Sequence, residues 1–177
     1  MLQVFAFDRI GVVLSDLYFV DPDPLHGQEG PERGVRLEVR VVSQGELNGS
    51  IYSARPIEVG QPVWRADLLE AADQPGTLNR VHHHPAFDGW EPGGRVFDQA
   101  LSSDPVHWVG KQLGNLQGLL DQAGLAADAG LAADADDLRA AVPEIERALS
   151  GLLDRVKAGE LAAAPDGDLA SARISWL

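Results

Sequence analysis

A chain of 177 residues with 45% hydrophobic content can bury a core of its own, so it needs neither a disulfide nor a structural metal to fold. It contains no cysteine, which excludes disulfides, thiolate metal sites and a cysteine nucleophile. Its net charge of −13, without a basic run, argues against nucleic acid and an anionic membrane surface as partners, because both are held largely by Lys and Arg.

The opening residues Met1 to Arg9 lack a basic stretch and place two charges where a signal peptide would be apolar. No apolar run approaches the roughly 20 residues that span a bilayer. The expected compartment is the cytoplasm.

Residues 4–7 and 12–20 are rich in β-branched and aromatic side chains and read as strands; Asp21-Pro22-Asp23-Pro24 ends the second. The clearest alternation follows. Val35, Leu37, Val39 and Val41 point one way, and Arg36, Glu38 and Arg40 the other. Asn48-Gly49 predicts a tight hairpin turn, with a strand over 50–59 in which Pro56 marks an edge or bulge. After Gly60 another strand is expected over 63–70, with Trp64, Ala66 and Leu68 on the core side and Arg65 and Asp67 opposite. The charged residues Arg36, Glu38, Arg40, Arg65 and Asp67 read as a solvated cross-strand ladder.

Residues 71–103 form a His-rich connection, and so long an irregular stretch in a compact domain is often functional. Helical signals begin at Asp104-Pro105, a cap acceptor followed by proline. Val106, Val109, Leu113, Leu116 and Leu120 recur at spacings of three and four, predicting a helix over 105–123. Gly110, Gly114 and Gly118 on an adjacent face predict a close approach by another backbone. A duplicated hexapeptide over 124–135 reads as a linker. Leu138, Val142, Ile145, Leu149, Leu152 and Val156 then predict a second helix over 138–157, with Pro143 in its first turn or at a kink.

The expected fold is α+β: an antiparallel meander of four to five strands (1–70), the His-rich connection (71–103) and a C-terminal αα-hairpin (104–158). These form one domain over 1–161, and 162–177 is a loose tail anchored only by Ile174 and Trp176. The two helical seams are expected to meet each other, within one subunit or across a homodimer or protein partner.

Chemistry is expected in the segment 76–97. In an extended backbone alternate side chains share a face, so His82 and His84 project together. Their imidazoles suit a divalent transition metal, Zn, Fe, Mn or Ni, with Asp88 as the expected third ligand and Glu91 or His107 as alternatives. Gly76 followed after five residues by His82-x-His84 is similar to the first metal motif of the cupins. The second cupin motif is missing and the following chain reads as helix, so that family is not assigned. Without a metal, a histidine of this segment would transfer protons, oriented by Asp67 or Asp88, while Arg80 or Arg95 held an anion. The catalytic candidates are therefore His82, His84, Asp88 and Arg80, and no residue is read as binding an organic cofactor. Two functions stay open: a small metal-binding or hydrolytic enzyme-like domain built on this segment, or a non-catalytic interaction or assembly domain using the helical seams over 105–123 and 138–157.

Overall fold

The computed structural model describes residues 1–164. Five strands, β1 (Leu2–Ala6), β2 (Ile10–Val20), β3 (Pro31–Gln44), β4 (Ile57–Ala71) and β5 (His82–His84), pair antiparallel in sequence order. The His-rich connection thus supplies the fifth strand of the meander. Register sets Leu37 between Leu14 and Ala66, and Val39 between Val12 and Trp64. Because side chains alternate with period two, these residues and Val35 and Leu68 line one face, and all of them are fully buried.

That face is covered by helices α2 (Pro105–Leu113), α3 (Leu116–Gln122) and α5 (Ala135–Lys157), which bring Val109, Leu113, Leu116 and Leu120 to meet Ile145, Leu149 and Leu152 in one core. The two predicted seams therefore pack inside the subunit. A short α1 (Gln99–Ser103), capped by Asp98, precedes them, and α2 starts at Pro105 with the Asp104 carboxylate accepting from the His107 backbone N–H.

Several expectations are corrected. Residues 45–56 are a loop, and strand pairing resumes only at Gln44 with Ile57. Gly49 does take the positive φ that Asn-Gly predicts (111°), but Ile51 and Tyr52 are exposed and offer no core-facing alternation to extend a strand. The Gly45 N–H instead bonds the Pro56 carbonyl and closes the loop at its base. Gly60 does not interrupt β4. The strand runs on through a register shift near Arg40 and Pro62, where proline has no N–H to pair and the Arg40 guanidinium bonds the Gly60 carbonyl. This bulge leaves Val41 half-buried and turns Val42 inward.

The helix expected over 105–123 is two helices. The Asn115 side chain accepts from the Gly118 N–H and caps a new start, a local bond that competes with helix continuation. Gly110 does mark a close approach, but by the Glu146 side chain of α5 rather than by backbone. The duplicated segment contains a turn of helix, α4 (Ala129–Ala132), whose Leu131 is buried in the core. Pro143 lies well inside α5, which begins at Ala135 and continues past it.

Asp134, between α4 and α5, is buried and accepts from the backbone N–H groups of Arg9 and Ile10, both at 2.7 Å. It ties the β1–β2 turn to the helical layer. Asp134→Ala would leave the buried Ile10 N–H without this acceptor, and a denaturant melt should show a loss of about 1–3 kcal/mol. An unchanged midpoint would mean that the turn finds its hydrogen bonds elsewhere. Ala162 is buried and its N–H bonds the Asp16 carboxylate, so the start of the expected tail is anchored; Ile174 and Trp176 lie outside the described residues. Among the described residues no helix is long and apolar enough to cross a membrane.

Candidate metal centre

The sheet face away from the helices carries the charged residues. Register places Arg36 opposite Asp67 across β3 and β4, Asp67 opposite His82 across β4 and β5, and Arg65 between Glu38 and His84. This ladder is not solvated as its sequence suggests. Asp67 is 1% exposed and Glu38 8%. Strand β5 covers one side of the ladder, while a hairpin of β6 (Phe87–Asp88) and β7 (Glu91–Pro92) brings Phe87 and Trp90 over Arg65 and Arg40, each guanidinium 5.7 Å from the ring centroid.

His82 and His84 share this face, as period two predicts, and both are buried. Each ring is fixed by its Nδ1: His82 to the Arg80 carbonyl at 2.8 Å, His84 to the Gly93 carbonyl at 2.6 Å. A carbonyl only accepts, so each Nδ1 carries the proton, and in the neutral imidazole each Nε2 presents a lone pair. Those two nitrogens lie 3.4 and 3.6 Å from the same Asp67 oxygen, Oδ2. Among the described residues, Asp67, His82 and His84 form the group whose ligand atoms all fall within 4.8 Å of one another.

The carboxylate is held from the other side. Arg36 donates to both Asp67 oxygens at 2.7 and 3.3 Å, and the Arg65 Nε stands 3.0 Å from Oδ2. Burial by itself would raise the Asp67 carboxyl, but the guanidiniums of Arg36 and Arg65, together with the neighbouring His82 and His84, outweigh it and hold the group well below the ordinary carboxylate range. Arg65 also reaches the His84 Nε2 with its Nη2, at 3.0 Å.

A second carboxylate occupies the same face. Glu32 is 1% exposed, and among the described residues neither of its oxygens has a hydrogen bond; Arg80 and Arg95 approach only to 3.8 and 4.0 Å. Burial raises its carboxyl, opposed by the charges of Arg95, His82 and Arg80.

The remaining sequence candidates separate. Asp88, the expected third ligand, sits exposed on the β6–β7 hairpin opposite Glu91, and the carboxylate beside the two histidines is Asp67. Glu91 and His107 are also exposed. Arg80 and Arg95 fasten the 21–30 segment, bonding the Gly27 carbonyl and the side chains of Gln28 and Asp21. His83 points to the opposite face, where its ring meets Trp108 and Trp64 at 5.0 and 6.1 Å, and burial lowers its pKa. Its backbone pairs with Val96 and so protects the free edge of β5. The sequence holds only a partial signal for Asp67: strands joined by a connection as short as 72–81 usually pair as neighbours, but the run His82-His83-His84 has no alternation to mark it as a strand.

Comparison of the chain with protein-family models, with curated proteins and with solved structures finds no match.

Proposed function

We propose that Asp67, His82 and His84 bind one divalent transition-metal ion, and that the protein is a small metal-dependent enzyme of hydrolytic type built on this centre. One observation carries the reading: both imidazoles are locked through Nδ1 so that both Nε2 atoms converge on a single carboxylate oxygen. Arg65 already offsets part of the repulsion between these atoms, reaching Asp67 Oδ2 and the His84 Nε2 at 3.0 Å each, and an ion at their meeting point would engage all three ligand atoms, His82 Nε2 included. The two nitrogen–oxygen distances, 3.4 and 3.6 Å, suit an ion, since bonds of about 2.0–2.2 Å in tetrahedral geometry set ligand atoms about 3.3–3.6 Å apart. Two nitrogens and one oxygen suit Zn, Fe, Mn or Ni.

The chain's own groups have definable roles. The Arg80 and Gly93 carbonyls fix the ring orientations, as outer-shell partners of metal-binding histidines do. Arg36 donates to Asp67 Oδ1 at 2.7 Å and at the longer 3.3 Å to Oδ2, the oxygen that also faces Arg65 and the two histidines. Glu32 supplies negative charge to offset an ion beside two arginines. When bound, the ion would act as a Lewis acid and make its water more acidic.

The test is thermal melting with added Zn²⁺, Mn²⁺, Fe²⁺ or Ni²⁺, alongside elemental analysis of protein prepared without a His-tag or nickel column. An ion that binds only the native state raises its stability by about 2.7 kcal/mol at a hundredfold excess over Kd. Wild type and Asp88→Ala should show the shift, and His82→Ala/His84→Ala should not. No shift with any ion overturns the proposal. An equal shift in the double variant places the ion elsewhere.

A further inference from the structure

We infer that the cavity between the outer sheet face and the β6–β7 hairpin binds an organic monocarboxylate, with its charged group against Arg36, Arg40 and Arg65 and its apolar body beneath Trp90. The cavity has a volume of about 330 Å³. It adjoins the candidate metal centre through Arg65 but does not depend on an ion being there.

The charge on its floor is unbalanced. Arg36, Arg40 and Arg65 line it, and the carboxylates paired with them are two, Glu38 and Asp67. Arg40 engages Glu38 at 2.6 and 2.8 Å, while Arg36 and Arg65 both draw on Asp67. One positive charge is left over among these described residues, because two guanidiniums share the single Asp67 carboxylate. In a protein of net charge −13 a diffuse field repels anions, so only this local surplus attracts one, and it matches a single negative charge.

The guanidiniums are also well presented. Trp90 and Phe87 lie over Arg40 and Arg65, and planar guanidinium groups held in this way recognise carboxylates through paired hydrogen bonds. Around this floor the wall is apolar. Val13 and Pro62 line it, and Leu2, Val4 and Val59 stand exposed at its edge. Trp90 is 63% exposed at the mouth, a large ring left in solvent beside a charged floor. A charged floor under an apolar rim suits a flat apolar body bearing one carboxylate, and suits inorganic phosphate poorly.

The experiment is a titration with benzoate in the presence of a chelator, monitored by calorimetry in every variant and by the indole N–H resonance of Trp90 wherever that residue is present. Benzyl alcohol and inorganic phosphate serve as comparison probes. Benzoate should shift that resonance saturably, and benzyl alcohol should bind at least about tenfold more weakly, the loss expected when a charge-assisted hydrogen bond is removed. Arg40→Gln and Trp90→Ala should each weaken benzoate by about tenfold. Trp90 is exposed, and its loss should leave Tm near that of wild type. Arg40→Gln strands the buried Glu38 carboxylate and lowers Tm, so its affinity is read well below that temperature. No saturable shift with benzoate overturns the inference. So does equal binding by Arg40→Gln, or phosphate binding more tightly than benzoate. The chelator keeps this outcome separate from the metal proposal, which is read in its absence.

Discussion

Asp67→Asn should lower the stability of the protein by about 3–5 kcal/mol, because removing one member of a buried ion pair leaves its partners charged and uncompensated. Here the stranded partners are two, Arg36 and Arg65, with side chains only 16% and 11% exposed. The loss has a defined pH dependence. The folded-state carboxyl of Asp67 lies well below its ordinary value, so its stabilising effect is fully present above the unfolded-state pKa near 4 and is lost as pH falls through the folded-state value. The gap between wild type and Asp67→Asn, measured by denaturant melts with a chelator present, should be full at pH 7 and narrow only below about pH 4. A gap that stays constant into strong acid would show that the loss comes from packing, not charge. The combined replacement Arg36→Met, Arg65→Met and Asp67→Leu should recover most of the stability, since an apolar layer of similar volume often equals a buried ion triad. That variant should give no metal-induced rise in Tm. Stability and metal response are thus separable on the same residues.

Trp64→Ala should cost about 3 kcal/mol, the lower end of the range for a buried tryptophan. Trp64 is fully buried, pairs with Val39 across β3 and β4, and stacks on Trp108 with ring centroids 6.1 Å apart. It is the largest side chain joining the sheet to the helical layer, and its removal opens a cavity between β4 and α2. The effect sits at the lower end because the indole Nε1 is buried without a hydrogen-bond partner among the described residues, a cost that the alanine variant relieves. Trp64→Phe keeps a ring against Trp108 and drops that unpaired N–H, so it should lose far less. Equal losses in the two variants, by denaturant melt, would show that the indole nitrogen is satisfied in solution.

Much of the architecture was legible from local pattern. The alternation of Val35, Leu37 and Val39 and of Trp64, Ala66 and Leu68 specified strands and their buried face, and the spacing of Leu113, Leu116 and Leu120 specified helices with one apolar side. Pairing of His82 with His84 on one face followed from the same period-two geometry. Where local pattern misled, a nearby competitor had won. Asn48-Gly49 has turn chemistry, but Ile51 and Tyr52 face solvent and the hairpin closes at Gly45 and Pro56 instead. The apolar rhythm across residues 105–123 continues through Asn115, yet the bond from the Gly118 N–H to that side chain starts a new helix there.

The identity of the carboxylate beside the histidines belongs to the tertiary structure. Asp88 is nearer in sequence, but the β6–β7 hairpin carries it out to solvent, whereas Asp67 reaches His82 through antiparallel pairing of β4 with β5. The same pairing, with the hairpin laid over Arg40 and Arg65, turned a ladder that reads as solvated into a buried charged layer with a cavity above it. The division has a physical basis. Backbone geometry imposes its periods of 2 and 3.6 over a few consecutive residues, so faces are written locally. Which faces meet, and how far each charge is withdrawn from water, depends on register and on what folds across the sheet, and those are set by contacts between residues distant in the chain.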